Sequence, residues 1–278
     1  MYVGGMSSSL PEDVQHEMYH SVAGLEHAKI VKNAYAIEYD CINPQQLYPT
    51  LEFKKIHGLF SGGQFNGSSG YEEAASQGLI AGINAALEVL GREQIVIDRS
   101  QGYIGVLIDD LVTKENHEPY RMMTSRSEYR LLLRQDNADQ RLTPLGYKVG
   151  LISEQRYQHL LTKMNLIEKE KQRLEETMVG GSKEVQTFLE RHESTTLKTA
   201  ASLAEILRRP EMKYEYLKEI DPERPELSWD VCEQVEIDIK YDGYIKRQLK
   251  QVEQFKKLEE KRLPADIDYK EIKSLRIE

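Results

Sequence analysis

The chain has 278 residues, of which 40% are hydrophobic and 30% are charged, and its formal net charge is −9. This length suits one large domain or two ordinary ones. No apolar run approaches the roughly 20 residues of a membrane-spanning helix, and the start of the chain lacks the pattern of a secretory signal. We therefore expect a cytoplasmic protein without membrane association. The acidic balance argues against polyanion binding over the whole surface, so any nucleic-acid surface must be a local patch.

The two cysteines, Cys41 and Cys232, are far apart in sequence and form no CxxC or metal-ligand spacing. This usage is typical of a reducing compartment. The first predicted helix covers residues 11–25 and begins with a proline, which is favoured in the first turn. Its apolar residues recur every three or four positions, so we expect them to form one buried stripe. The stripe consists of Val14, Met18, Val22 and Leu25.

The same helix carries HEMYH, from His16 to His20, which matches the HExxH pattern of zinc proteases. In that pattern two histidines bind the metal and the glutamate activates water. A zinc site needs a third ligand, and no HxxE or GxxH motif follows. Because the predicted buried stripe lies on another face, we interpret both histidines as exposed and predict no metal site. A metal-dependent hydrolase is the alternative.

Residues 28–42 are rich in β-branched and aromatic residues and predict one or two strands. Residues 49–63 predict a hairpin or strand pair that ends in a glycine-rich loop. A helix should follow from about Gly70 to Leu90, with Gly91 placed to end it. The order of strand, glycine loop and helix is α/β in character.

The remaining residues predict helices. Ser125 and Glu128 form a capping box before YRLLLRQD, and Ser153 and Ser228 are each expected to cap a long amphipathic helix. Two short helices should lie between the long ones, around 183–192 and 200–208. The long helices most simply pack on each other. We therefore predict an α/β piece over 1–100, an arginine-rich connector over 101–145 and an α-helical domain over 146–278.

The glycine-rich loop lies in SGGQFNGSSGYEEAASQGLIAGINAA, residues 61–86. Gly67 and Gly70 give the backbone freedom where a Cβ would block a ligand, and Gln64 and Asn66 offer hydrogen-bond donors and acceptors. The helix that follows presents free N–H groups suited to a phosphate or an electron-rich ring edge. The alternative is a simple turn. Since the sequence contains no GxGxxG after a strand, a dinucleotide would find only half of its site here.

On the predicted connector helix, Arg126, Arg130 and Arg134 recur every four residues and would form one stripe. The planar guanidinium group suits phosphate. The alternative is a solvated face, or internal ion pairs with Asp136 and Asp139.

The segment GGQFNGSSGYEEAASQGLIAGINAA resembles the signature of the MnmG (GidA) family of flavin-dependent tRNA wobble-uridine modification enzymes. The departure is Gly62, where the family usually has alanine. Further similar stretches occur along almost the whole chain: SSSLP (7–11), YAIEYD (35–40), YIGVLIDDLVT (103–113), EPYRMMTSRSEYRLLLRQDNADQRLT (118–143), LRRPEM (207–212) and YDGYIKRQ (241–248).

The resemblance implies that the chain corresponds to a C-terminal half, with residues 1–100 ending a Rossmann-type FAD-binding domain. The family's GxGxxG half and its catalytic cysteines would precede this stretch, so we assign no catalytic residue and expect the chain alone to be inactive and to hold no stoichiometric FAD. The implied flavin-binding residues are Gly63, Gln64, Asn66, Gly67, Gly70, Tyr71, Glu72 and Glu73. The implied tRNA-binding residues are Arg121, Arg126, Arg130 and Arg134.

The implied reaction adds a (carboxymethyl)aminomethyl group at C5 of the wobble uridine of tRNA. The resemblance implies FAD as cofactor and NADH and methylene-tetrahydrofolate as co-substrates. It also implies the GTPase MnmE as a partner, and a homodimer. The alternative is a non-catalytic module that binds tRNA or a partner protein.

Overall fold

The computed structural model describes residues 3–35, 38–116 and 118–262, together with Ile267 and Ile272. This part of the chain is mostly helical, with one small sheet. Its helices are α1 (Glu12–His20), α2 (Tyr71–Val89), α3 (Tyr103–Thr113), α4 (Ala138–Val149), α5 (Glu154–Glu176), α6 (Lys183–Arg191), α7 (Leu203–Leu207) and α8 (Trp229–Glu259). Strand β1 (Met178–Val179) pairs antiparallel with β2 (Ala201–Ser202), with Met178 opposite Ser202. None of the described helices is long and apolar enough to cross a membrane.

The strands predicted in the first hundred residues are wrong where the structure describes them; Ala36 and Ile37 lie outside the described residues. Residues 28–35 and 38–42 contain no strand, and Val31 is 93% exposed. Residues 49–63 form only isolated antiparallel bridges, among them Glu52 with Phe60. A β-rich composition forms strands only where side chains find neighbours to pack against, and an exposed Val31 has none.

Helix α1 forms within the predicted range but does not bury the predicted stripe. Val14 and Val22 are exposed, and the one buried residue of the helix is Gln15. The Gln15 amide donates to the carbonyl oxygens of Leu10 and Ala34 and accepts from the Ala34 N–H. The helix is therefore fixed by a polar side chain, which apolar periodicity cannot reveal.

Helix α2 confirms the predicted range, with Gly70 preceding it and Gly91 in a left-handed conformation after it. Its inner side contributes Ile80 and Ala81 to an apolar cluster that also contains Ile108 of α3. Helix α3 was not predicted. It lies directly against the backbone of the segment that precedes it, since a Cβ on Gly105 would lie 2.2 Å from the carbonyl oxygen of Asp98.

Helices α5 to α8 enclose the largest apolar cluster, which confirms that the two long helices pack on each other. Ser153 caps α5 as predicted, by accepting a hydrogen bond from the Arg156 N–H. Ser202 forms a full capping box at α7 with Glu205. Ser228 precedes α8 but makes no side-chain cap. Strand β1 follows α5 almost directly, with Thr177 between them.

The first half of α8 packs into this cluster through Val231, Val235 and Ile239. The second half packs elsewhere, because Val252 joins Val106, Tyr129, Leu132 and Leu133 in a separate apolar cluster. Three large apolar side chains of this amphipathic helix are exposed: Trp229, Leu249 and Phe255. The predicted boundary between residues 145 and 146 falls inside α4.

The helix predicted after Ser125 is wrong. The structure has a single 3₁₀ turn, Thr124–Arg126, without a side-chain cap. Glu128 does not complete the capping box because its carboxylate binds Arg99 instead. Side chains also accept from N–H groups that a helix would use, because the Tyr129 N–H donates to the Ser127 hydroxyl and the Leu132 N–H is shared between Gln248 and the Tyr129 carbonyl oxygen. The arginines of this segment therefore do not form a helical stripe.

Candidate functional site

The glycine loop is shaped by backbone conformations that favour glycine. Gly63 has φ 89° and Gly67 has φ 80°, and the short 3₁₀ turn Gln64–Asn66 lies between them. Such positive φ values are strained for residues with a Cβ. A Cβ on Gly62 would lie 3.0 Å from the backbone nitrogen of Gly78 in α2. The loop therefore rests directly against the α2 backbone.

A buried polar network holds this loop. Asn66 is fully buried; its side-chain oxygen accepts from the Ser61 hydroxyl at 2.6 Å and its amide donates to Gln77 Oε1 at 2.8 Å. The Gln77 amide donates to the Ser68 hydroxyl at 2.8 Å, and that hydroxyl donates to the Gly63 carbonyl oxygen at 3.1 Å. The Asn66 side chain thus shapes the loop and has its hydrogen bonds inside the protein.

A cavity of about 370 Å³ opens beside the loop. Of the predicted cofactor-binding residues, Gln64, Asn66 and Gly67 line it. The other lining residues come from two further segments and from the end of the loop: Tyr39, Cys41, Ile42, Asn43, Pro44, Ser68, Ser69, Glu115, Asn116, Glu118 and Pro119. The Gln64 amide donates to the Asp40 carbonyl oxygen at 2.8 Å, which joins two of these walls.

The start of α2 lies outside the lining of this cavity and is occupied by a carboxylate. Glu73 is 4% exposed; its Oε1 accepts from the Met122 N–H at 2.7 Å, while its Oε2 is buried and finds no hydrogen-bond partner among the residues that the structure describes. A Cβ on Gly70 would lie 1.7 Å from that Oε2. A side chain at position 70 would therefore displace this carboxylate, which occupies the helix end where a phosphate would otherwise bind. Tyr71 and Glu72 face outward and are exposed.

The connector joins the loop directly, which sequence reasoning missed. The Tyr120 N–H donates to the Gly67 carbonyl oxygen at 2.8 Å, and the Ser69 N–H donates to the Tyr120 carbonyl oxygen at 3.4 Å. Together with the Glu73 bond to Met122, these contacts place residues 120–122 against the loop. Since no local sequence pattern reports a pairing over fifty residues, only the structure could reveal it.

A charged cluster around Asp110 supports Tyr120 from behind. Asp110 is 1% exposed; its carboxylate accepts from the Tyr120 hydroxyl at 2.7 Å and pairs with Arg99 and Lys114 at 2.6 Å. Burial alone would raise the pKa of Asp110, but the hydrogen bonds from Lys114, Tyr120 and Arg99 outweigh it and lower the pKa. Arg99 also binds Glu128. The cluster therefore ties α3 to Tyr120 and, through Arg99, to Glu128.

The four predicted RNA-binding arginines have different surroundings. The Arg121 side chain is 58% exposed and its Nε lies 3.9 Å from Glu73 Oε1. Arg126 donates to the Arg121 carbonyl oxygen at 2.8 Å, and its guanidinium carbon lies 4.2 Å from the Tyr120 ring centroid. Arg130 is exposed and forms no ion pair within the described residues.

Arg134 is engaged in contacts within the protein. Its side chain is 18% exposed, pairs with Asp136 at 2.9 Å and donates to the Leu131 carbonyl oxygen at 2.6 Å. The alternative interpretation, an internal ion pair, therefore describes Arg134. Asp139 pairs with Lys163 instead.

The HExxH residues form no metal centre in the described part of the chain, where no group of three potential ligands occurs. His16 lies 3.8 Å from Glu12, and the His20 ring nitrogen is hydrogen-bonded to the Ala28 carbonyl oxygen at 3.0 Å. Both cysteines are free; Cys41 is exposed and Cys232 is half-buried.

Two family models match the chain: "Glucose inhibited division protein A" over residues 1–93 and "tRNA modifying enzyme MnmG/GidA C-terminal helical domain" over residues 154–249. The chain is 68% identical over 278 residues to the tRNA uridine 5-carboxymethylaminomethyl modification enzyme MnmG of Lachnoclostridium phytofermentans. It is 63% identical to the protein of the same name from Caldicellulosiruptor saccharolyticus. The chain spans 44% of the length of each of these relatives.

Solved structures agree with these relatives. Two crystal forms of Aquifex aeolicus GidA superpose with TM-scores of 0.77 and 0.74 at 46% identity, over 98% and 97% of this chain. The matched parts are 42% and 41% of those chains. Since family models, curated relatives and solved structures agree along the chain, it belongs to the MnmG/GidA family.

Proposed function

We propose that the chain is part of a flavin-dependent enzyme that adds a (carboxymethyl)aminomethyl group at C5 of the tRNA wobble uridine. The carrying observation is the 68% identity, over all 278 residues, to a relative named as a tRNA uridine modification enzyme. In this proposal residues 1–100 end a Rossmann-type FAD-binding domain, 101–145 form the connector and 146–278 form the helical domain.

The glycine loop fits part of a flavin cofactor. A cavity of about 370 Å³ is near the lower end of ligand sites, which span roughly 300–1,000 Å³, so it suits one end of a dinucleotide. A Cβ at Gly67 would meet nothing within 4 Å, so its backbone is open to a ligand. Gln64 and the backbone of Asn66 and Gly67 would hold the cofactor. Gly63, Gly70 and Glu73 would hold the loop in shape.

Bound flavin would supply hydride and electron transfer. NADH would be the reductant, and methylene-tetrahydrofolate would bring the one-carbon unit. The residues of this chain bind and orient; neither Cys41 nor Cys232 is assigned a catalytic role. The GTPase MnmE and a second copy of the protein complete the proposed assembly.

The arginines would position tRNA through its phosphates. Arg130 is the strongest candidate, since it is exposed without an ion pair in the described residues. Arg121 and Arg126 lie beside the glycine loop, where an RNA phosphate near the flavin would reach them. Arg134 would support the segment through Asp136.

The proposed function can be tested in a chimera. In the chimera, this chain replaces the matching stretch of the Lachnoclostridium phytofermentans enzyme. The chimera is expressed in cells that lack their own copy of the enzyme. We expect the modified wobble uridine to return, measured by mass spectrometry of tRNA nucleosides. A folded, flavin-containing chimera that leaves the uridine unmodified would contradict the proposal and favour the non-catalytic binding module.

A matched pair of glycine variants sharpens this test. Gly67→Val in the chimera should abolish flavin binding, because φ is 80° and the backbone lines the cavity. Gly58→Val is the control, since Gly58 has a similar φ of 76° and does not line that cavity. The isolated chain should be colourless because it contains no GxGxxG fingerprint after a strand. A flavin spectrum near one per chain would overturn that expectation.

A further inference from the structure

Among the residues that the structure describes, the second half of α8 is packed along one side only. Ile245 and Val252 lie in the apolar cluster with Leu132. Between them, Gln248 accepts a hydrogen bond from the Leu132 N–H at 3.2 Å and donates to the Glu128 carbonyl oxygen at 3.2 Å. Because residues three and four apart share a helix face, these three residues define the inward side of the helix.

The opposite side carries a row of basic residues. Positions half a turn from the packed side recur at spacings of three, four and three, and all are exposed. They are Arg247, Lys250, Gln254 and Lys257. We call the three cations among them the α8 row. At 1.5 Å per residue, the row is about 15 Å long.

The cations of the α8 row have no ion-pair partner among the residues that the structure describes. Neighbouring lysines on other faces do. Lys246 pairs with Asp242 at 2.8 Å, and Lys256 pairs with Asp98 at 2.7 Å. The lysines that form ion pairs within the protein therefore lie on other faces of α8 than the unpaired cations of the row.

The same segment also contains glutamates, and the helix phase separates them from the row. Glu259 falls on the packed side by its position in the helix. Glu253 borders the row, one turn from Lys250 and Lys257, but forms an ion pair with neither in the described residues. The outward face is therefore basic although the segment is mixed.

The helix segment that carries the α8 row is hydrogen-bonded to the connector on both sides of Arg130, one of the residues proposed for RNA. Gln248 holds the backbone on both sides of Arg130, at Glu128 and Leu132. Arg247 is the next residue to Gln248 on the helix. Arg130 and the start of the row therefore lie at one junction between the connector and α8.

We propose that the α8 row binds the sugar-phosphate backbone of tRNA and extends the surface that starts at Arg130. The proposal rests on the proposed function for the substrate class. A chain of net charge −9 can meet a polyanion only through such local patches. A protein partner is less favoured because protein interfaces have apolar centres, and the row contains only polar side chains.

The test measures binding of an unmodified tRNA transcript with a wobble uridine to the 278-residue chain, from about 50 to 200 mM salt. The row variant combines Arg247→Ala, Lys250→Ala and Lys257→Ala. The control removes three exposed cations from the bundle: Lys169→Ala, Lys183→Ala and Lys218→Ala. Both lose the same net charge, and circular dichroism checks that both melt as the unmutated chain does.

We expect the row variant to reduce the slope of log affinity against log salt by about two units, since each lost phosphate contact removes about 0.7–0.9. The control should keep the slope. Glu253→Gln should tighten binding, because it removes the nearest negative charge.

Equal slopes for the row variant and the control would overturn the proposal, as would an unmutated chain that binds no tRNA. Unchanged tRNA slopes together with lost binding of a partner protein would assign the row to that partner instead. The proposed function is tested separately, by uridine modification in the chimera, so the two failures are distinguishable.

Discussion

The bundle of α5 to α8 and the glycine loop differ in what fills their interiors. The bundle encloses an apolar cluster with fully buried leucines, among them Leu174, Leu189 and Leu207. The loop encloses Asn66 and Gln77, both fully buried and hydrogen-bonded to each other. Apolar packing is non-directional and tolerates substitution by apolar side chains of similar volume. Each buried amide, in contrast, needs particular hydrogen-bond partners. The two regions should therefore fail differently when mutated.

The largest effect should come from the bundle. Leu189→Ala removes a fully buried side chain from the apolar cluster and should lower the free energy of unfolding by about 3 kcal/mol. Urea unfolding followed by circular dichroism measures it. The control is Leu161→Ala on α5, whose side chain is 39% exposed. Equal losses for the two variants would mean that the cluster does not carry the stability of the bundle.

The next effect should come from the charged cluster behind the loop. Asp110→Asn leaves Arg99 and Lys114 without their buried carboxylate and should cost about 2 kcal/mol at neutral pH. Because the folded-state pKa of Asp110 is lowered, its contribution is present above the unfolded pKa, roughly 3.9, and is lost as the pH falls below that value.

The difference between Asp110→Asn and the unmutated chain should therefore shrink below about pH 4. Thermal melts at neutral and acidic pH measure this. Asp109→Asn is the matched control, because Asp109 pairs with the same Arg99 but its side chain is 39% exposed. A loss for Asp110→Asn that does not change with pH would contradict the assignment.

A smaller and local effect is expected in the loop. Asn66→Ala leaves Ser61 and Gln77 with unmet hydrogen bonds and should cost about 1 to 2 kcal/mol. Amide hydrogen exchange should rise at residues 63–67 more than in α5. Asn165→Ala, at an exposed position of α5, is the control. Uniform acceleration across the chain would show that the loop is not a separate unit of stability.

The smallest stability effects separate two arginines. Arg126→Ala removes the contact with the Tyr120 ring and a backbone hydrogen bond, at a cost of about 0.5 to 1 kcal/mol. Arg130→Ala should leave the melting temperature unchanged. Both should reduce the salt slope of tRNA binding by about 0.7 to 0.9. An unchanged slope with a lowered melting temperature would make Arg126 a purely structural residue.

The helices of the bundle were predictable because caps and apolar periods are local signals. Ser153 caps α5 and a glycine ends α2 within one or two residues of the expected positions. Helix α4 escaped because Pro144 lies inside it, and proline normally marks a boundary. The exposed Phe255 of α8 shows that an apolar period predicts a helix but does not predict which of its apolar side chains are buried.

The candidate site was predictable in its glycines and not in its contacts. The positive φ of Gly63 and Gly67 follows from a dense run of glycines. The bond between Gly67 and Tyr120 joins residues over fifty positions apart, and no periodic pattern encodes such a pair. The arginine helix was predicted from a capping box formed by Ser125 and Glu128. In the structure Glu128 forms an ion pair with Arg99 instead, a tertiary contact that the local sequence pattern does not reveal.

The long reach of α8 has a consequence for the order in which the protein folds during synthesis. Leu133 leaves the ribosome well before Val252, which completes its apolar cluster. At 5 to 20 residues per second, the roughly 120 residues between them take about 6 to 24 s to synthesise. For that time the cluster of Val106, Tyr129, Leu132 and Leu133 lacks the side chain that completes it. Chaperone capture should therefore concentrate on nascent chains that end between these two residues and stop once α8 has emerged.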